Sequence, residues 1–179
     1  MANISPKGKA GWSQLREARG FKGSDENKKY SQDLILTKED GEKFVALLQE
    51  EANRLHAQEI ERARRNGKNV RYAPPLINYK DLEEGAIQLS FKREESNGMP
   101  VVLDLNKNPY TGTIERDHVI EIAYEMRPYV LATVFGVTLK LIAVRVLETE
   151  MNAARVAELF GETPKPTNAT PAESVDDLF

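Results

Sequence analysis

Apolar residues change their spacing from three-to-four to two at Pro74-Pro75, and this switch limits the fold more than any other feature of the chain. Before the prolines, Phe44, Leu47, Leu48 and Leu55 recur at helical spacing, with Glu51 on the same face. Thr37, three residues ahead of Asp40, reads as the cap that opens this helix, and Gly67 as its stop. After the prolines, Ile87, Leu89 and Phe91 alternate with polar residues, as do Val101, Leu103 and Leu105. Ile120, Ile122, Tyr124 and Met126 do the same. Val137, Leu139 and Leu141 follow, then a register shift to Val144 and Val146 that reads as a bulge. Lys29–Leu36 adds a strand before the helix, and Pro128 is expected to break a strand ahead of Tyr129–Phe135.

These patterns predict a mainly β chain: a five-stranded, OB-like antiparallel barrel with one long charged helix inserted after the first strand. Closing the sheet on itself removes exposed edges. Residues 1–28 mix Gly, Ser, Lys and Asn around Trp12, Leu15 and Phe21, and read as a basic arm or an early edge strand. A short helix is expected over 147–160, carrying Met151, Arg155 and Leu159 and closed by Gly161. Residues 1–160 then form one domain. Residues 161–179 hold too little apolar surface to order themselves and form an acidic tail.

The net charge of −3 argues at first against a nucleic-acid partner. Its distribution reverses that inference. Residues 1–37 carry +3, residues 38–61 carry −4, residues 62–80 carry +6 with no acid, and residues 81–160 carry −5, which sum to zero. The whole −3 resides in 161–179. The body is therefore neutral but polarised.

Catalytic signatures are missing from the sequence: it has no GxxxxGK[ST] loop, no GxGxxG and no HExxH. The absence of cysteine excludes a disulfide framework and thiolate metal sites. His56 and His118 stand apart without ligand partners. Glu83-Glu84, Glu94-Glu95 and Asp104 are compatible with a metal-dependent nuclease, but carboxylates at this density are ordinarily a solvated face. The expectation is a protein that is not an enzyme and takes no cofactor and no metal. No apolar run approaches the ~18 residues of a membrane span. With no cysteine and no export signal, the expected compartment is the cytoplasm, that of the bacterial host if a phage encodes the chain.

Cations beside aromatic rings suit a single-stranded nucleic acid, whose backbone needs positive charge and whose bases offer faces for stacking. Arg71-Tyr72 and Asn78-Tyr79-Lys80 make such pairs, although arginines ending a helix also satisfy its dipole. Around one strand end lie Tyr124, Arg127 and Tyr129, with Lys140 on the next strand. Tyr124 shares parity with Ile120 and Ile122, which favours the core, whereas Tyr129 beside Pro128 suits an exposed ring. Phe91 and Phe135 read as core.

Tyr124-Glu125-Met126-Arg127-Pro128-Tyr129, followed by Phe135-Gly136-Val137-Thr138-Leu139-Lys140-Leu141 and Val144-Arg145-Val146-Leu147, resembles the single-stranded DNA-binding proteins of short-tailed bacteriophages. Lys29-Tyr30-Ser31-Gln32-Asp33-Leu34 before a long charged helix is similar to that family's first strand and inserted helix, and Asp176-Asp177-Leu178-Phe179 to its acidic tail with a terminal Phe. The resemblance implies an OB-fold that coats single strands in replication, recombination and repair, usually as a homodimer. It implies a tail that competes with DNA for the basic groove and docks replication proteins such as a DNA polymerase or helicase-primase. Tyr129 takes the position of the family's stacking aromatic after Pro, and Phe179 that of the terminal aromatic. Leu131 stands where a member of the family carries Trp, so one stacking platform is either lost or replaced by Trp12, Phe21 or Tyr72.

The expected nucleic-acid contacts are Lys7, Lys9, Arg16, Lys22, Arg71, Tyr72, Lys92, Tyr124, Arg127, Tyr129 and Lys140, with Asp176, Asp177, Leu178 and Phe179 as the partner-binding tail. Two other readings use the same residues: an RNA-binding or annealing protein on the same barrel, and an adaptor that acts through its tail.

Overall fold

The computed structural model describes residues 2–20, 26–116 and 118–147. In chain order the elements are β1 (Asn3–Ile4), β2 (Gly8–Arg19), β3 (Lys29–Leu36), α1 (Lys38–Arg65), β4 (Lys80–Asp81), β5 (Ile87–Glu94), β6 (Val101–Leu103), β7 (Val119–Leu131) and β8 (Val134–Leu147). Strands β2, β3, β5, β8 and β7 pair in that order, and β7 returns to β2 through Ile120↔Gly8 and Val119↔Lys9, so five strands close into a ring. Four of the five seams are antiparallel. The β5–β8 seam is parallel and consists of one register pair, Lys92↔Lys140.

The inward residues are those the period of two selects: Leu34 and Leu36, Leu89 and Phe91, Ile120 and Ile122, and Leu141, all at or near zero exposure. The expected bulge lies on β8, where Ala123↔Ala143 is followed by Tyr124↔Leu141, leaving Ile142 as the extra residue. This shift moves the inward set from Leu139 and Leu141 to Val144 and Val146.

The N-terminal segment is a correction. Its residues build β2, a full member of the ring, so the helix follows two ring strands. The 101–105 segment shortens to the edge strand β6, parallel to β8 through Val101–Leu103. Periodicity hides β2 because small residues, Gly8 and Ala10, stand at inward positions against Leu34 and Leu36, and because its pairing with β3 slips twice. Gly8 permits the close approach: a Cβ there would lie 2.6 Å from the Ile35 carbonyl oxygen.

Thr37 caps α1 as expected. Its Oγ1 accepts from the Asp40 N–H at 3.3 Å, Glu39 and Asp40 occupy the first turn, and Gly67 follows the helix at φ +72°. The buried stripe is Gly41, Phe44, Leu48 and Ala52. Leu47, expected on that stripe, is 63% exposed, because it sits about 60° round the helix from Phe44, on the side away from Leu48. Phe44 meets Tyr124 edge-on, with ring centroids 5.8 Å apart, so the first half of the helix packs onto the barrel core. Its second half reaches the β7–β8 hairpin, where His56 contacts Phe135 at 5.2 Å.

Pro128 does not break β7, which is a second correction. Beyond Tyr124, β8 is the neighbour of β7, and the other edge of the strand is open, so a missing N–H on that side removes no ladder bond. The hairpin therefore extends out to a two-residue connection, Ala132-Thr133, with Ala132 at φ +53°.

Helix and barrel meet most closely at Gly41, where a Cβ would stand 2.8 Å from Ile87 Cβ. Ala is a better helix former than Gly by about 1 kcal/mol. Gly41→Ala is nonetheless expected to lower stability by ~1–3 kcal/mol through overpacking, which a urea melt measures.

Candidate nucleic-acid interface

Where β5 and β8 separate on the N-terminal side of their single pair, a groove of about 460 Å³ opens. Ser90 and Lys92 of β5, Val137 and Thr138 of β8, and the segment Ile77–Lys80 line it. Next to the groove, Asp33 of β3, paired with Ser90 of β5, accepts from Gln88 Nε2 at 2.6 Å and Ser90 Oγ at 2.5 Å, so its carboxylate is engaged by neighbours. Lys29, Lys80 and Lys92 face one lining carboxylate, that of Glu94.

Lys92 and Lys140 stand side by side on the outward face, since Phe91 and Leu141 point inward. Adjacent strands place their backbones about 4.8 Å apart, and among the described residues neither ammonium has a carboxylate partner. Like charges in paired positions repel. An anion between them would relieve that repulsion.

Along the same outward face of β7 and β8 the register pairs are Glu125↔Lys140, Arg127↔Thr138 and Tyr129↔Gly136. Tyr129 is 44% exposed, and its ring crosses Gly136: a Cβ at that glycine would lie 2.2 Å from Tyr129 Cζ. Glycine thus provides the seat that holds the ring against the sheet with its other face open. The strand alternation puts Lys92, Lys140 and Tyr129 on one face, Tyr129 opposite Gly136 and so four residues along β8 from Lys140, with Arg127 held by Glu125 in an ion pair at 2.6 Å.

The remaining expected contacts lie elsewhere. Lys7 and Lys9 are exposed at the start of β2, where Lys9 is paired to Ile35 and Val119. Arg16 belongs to a second, larger groove of about 750 Å³ between β2 and residues 99–114, where it donates to the Thr111 and Gly112 carbonyls. Arg71 is exposed. Tyr72 is half-buried, its ring 6.4 Å from that of Phe135 and its carbonyl 3.2 Å from His56 Nε2. Lys22, Phe21 and the tail residues Asp176, Asp177, Leu178 and Phe179 fall outside the described residues, as does the helix expected over 147–160.

Tyr124 is corrected from interface to core. It is 5% exposed, with its ring 5.4 Å from Phe91 as well as against Phe44, so no face is free for a base. Burial, and secondarily the Glu51 carboxylate, pushes its phenol up to about 12. Arg54 clamps both oxygens of that carboxylate, at 2.5 and 2.7 Å, and holds the Glu51 carboxyl below its ordinary range.

Tyr79, singled out in the sequence within Asn78-Tyr79-Lys80 but not among the expected contacts, lines the groove. It is 46% exposed and is the one aromatic among the groove lining. The cue was its place in Asn78-Tyr79-Lys80, where a ring stands between polar and cationic neighbours. Trp12 is exposed on β2, away from this groove. Asp104 Oδ1 accepts from the Asn106 and Asn108 N–H groups at 2.8 Å, which makes it a turn residue. Among the described residues no group of three His, Cys, Asp or Glu side chains is placed to hold a metal ion.

A five-stranded ring with one parallel seam and a groove beside it defines the OB class of barrel. In fold the chain is similar to gp2.5, a single-stranded DNA-binding protein encoded by bacteriophage T7, with a TM-score of 0.64 at 18% identity over 82% of this chain and 91% of that one. It is also similar to the single-stranded DNA-binding protein of bacteriophage Enc34 in complex with single-stranded DNA, with a TM-score of 0.56 at 14% identity over 82% and 84%. No protein-family model matches the chain, and no curated protein matches its sequence.

The raised Tyr124 phenol sets an alkaline limit on the fold. Below pH ~10, the ordinary tyrosine value, its contribution is fully present. It declines as pH rises toward about 12, because the unfolded chain ionises first. Tyr124→Phe is expected to remove the last phenolate step in an ultraviolet titration and to flatten the loss of stability across that window.

Proposed function

We propose that the protein binds single-stranded DNA non-enzymatically and without sequence preference, coating and protecting it during phage replication, recombination and repair. The observation that carries this reading is the Lys92–Lys140 pair, neither lysine held in an ion pair among the described residues, on the same barrel face as the open Tyr129 ring. Lysines take phosphates, and a ring accepts any base because every base has a π-face. The fold shared with two phage proteins whose names state single-stranded DNA binding supports the same conclusion. Lys7, Lys9, Arg16, Lys22, Arg71 and Arg127 are proposed to extend the electrostatic field for a strand leaving the groove, with Tyr72 as a further ring beside Arg71.

The acidic residues 161–179 are proposed to compete with DNA for this groove and, once displaced, to present Asp176, Asp177, Leu178 and Phe179 to replication proteins such as a DNA polymerase or helicase-primase. A homodimer and a cytoplasmic location complete the proposal. No helix among the described residues is long and apolar enough to cross a membrane.

Titration with single- and double-stranded oligonucleotides at several salt concentrations tests the reading. Single strands are expected to bind tighter, and for ~4 neutralised phosphates log affinity should fall with log salt at a slope of about −3. Equal affinity for duplex, or no salt dependence, contradicts it. Matched RNA and DNA oligomers in competition decide between the two nucleic acids.

Tyr129→Ala is expected to weaken binding by roughly 5- to 150-fold, the worth of one stacked base. Gly136→Ala, which displaces the same ring, should weaken binding in the same direction while the barrel stays folded by circular dichroism. Deleting residues 171–179 should leave affinity unchanged or raised; an adaptor working through its tail would lose its partner instead.

A further inference from the structure

We propose that Tyr79 is a second base-stacking platform, mounted on the opposite wall of the groove from the β7–β8 hairpin. The strand registers put Tyr79 and Tyr129 toward the same end of the groove, with the Lys92–Lys140 pair toward its other end, so a strand lying along the groove meets the two rings and then the two lysines. This inference rests on the single-strand reading above and adds a site residue on a different element.

Three observations carry it. Tyr79 is nearly half exposed and is the groove's aromatic among the described lining residues. Its hydroxyl has no hydrogen-bond partner among the described residues, so the ring is neither spent on the core nor tied to a neighbour. The backbone on both sides of it is fixed. On one side Gln49 of α1 donates through Nε2 to the Pro75 carbonyl at 2.8 Å and accepts from the Ile77 N–H at 3.3 Å, while Pro75 and Ile77 are buried. On the other side Lys80 pairs with Gln88 and Asp81 with Ile87.

A ring exposed on a segment anchored at both ends loses little freedom when a base settles on it, which is what a platform requires. The same segment begins at Ala73, which bridges Val134 at the hairpin tip, so both rings ride on connected backbone. Lys80, adjacent to Tyr79, supplies a cation for the neighbouring phosphate. Tyr79 is the ring of the groove lining itself, whereas Trp12, Tyr72 and Tyr129 lie outside that lining.

Removing the bases without removing the backbone separates stacking from every other contribution. Wild type, Tyr79→Ala and Tyr79→Phe are titrated with an oligo-dT and with an abasic oligomer of the same length. Tyr79→Ala is expected to lose roughly 5- to 150-fold on oligo-dT and under twofold on the abasic strand, while Tyr79→Phe binds both like wild type. Equal losses on the two oligomers, or no loss on either, overturn the assignment and leave the single-strand reading standing. Failure of the wild-type protein to prefer oligo-dT over duplex overturns both.

Discussion

Lys92 on β5 and Lys140 on β8 form the one register pair through which these two strands meet, and the barrel ring closes there. Closure removes the open edges that five amphipathic strands would otherwise present. Because the two strands run parallel and touch at a single pair, they diverge on either side of it. One divergence becomes the groove beside Ile77–Lys80, and the other is filled by β6, which pairs with β8 at Val101–Leu103. Two like charges stand at the joint, and Glu125 is paired with Lys140 from the β7 side. In this fold the seam that completes the structure is also where the proposed phosphate contact lies.

The surrounding elements hold that seam in place. The first half of α1 packs Phe44, Leu48 and Ala52 against the core, and Tyr124 links the helix to β5 through its contacts with Phe44 and Phe91. Burying Tyr124 fixes the inward set of β7, and pleating then turns Arg127 and Tyr129 outward. Farther along the helix, Gln49 and His56 hold the 72–77 segment over the hairpin. A single long helix thus positions both walls of the groove, although it contributes no residue to the groove lining.

The sequence revealed most where a single period ran unbroken. Alternation over 87–91, 120–126 and 137–141 gave three ring strands, and the shift at Val144 located the bulge. The outward placement of Lys92 was legible because it alternates with the apolar residues of its strand, and the exposure of Tyr129 from its place beside Pro128. β2 was hidden because glycine and alanine occupy its inward positions and its register slips twice, neither of which leaves a hydrophobic signal. Pro128 misled because proline breaks central strands, and whether a strand is an edge depends on distant pairing. Tyr124 was ambiguous until the helix supplied Phe44 as its neighbour. Tyr79 lies in a proline-rich segment without period, so its place at the groove depends on β4 and on Gln49, whose hydrogen bonds to this segment span 26 to 28 residues.

The central claim is that the paired lysines seat phosphate. Its most direct measurement is the salt dependence of oligo-dT binding by Lys92→Gln/Lys140→Gln compared with wild type. Each phosphate that the variant no longer neutralises is expected to make the slope of log affinity against log salt shallower by about 0.7, with affinity falling most at low salt. A variant that binds as tightly as wild type, or one weakened by the same factor at every salt concentration, would contradict the account.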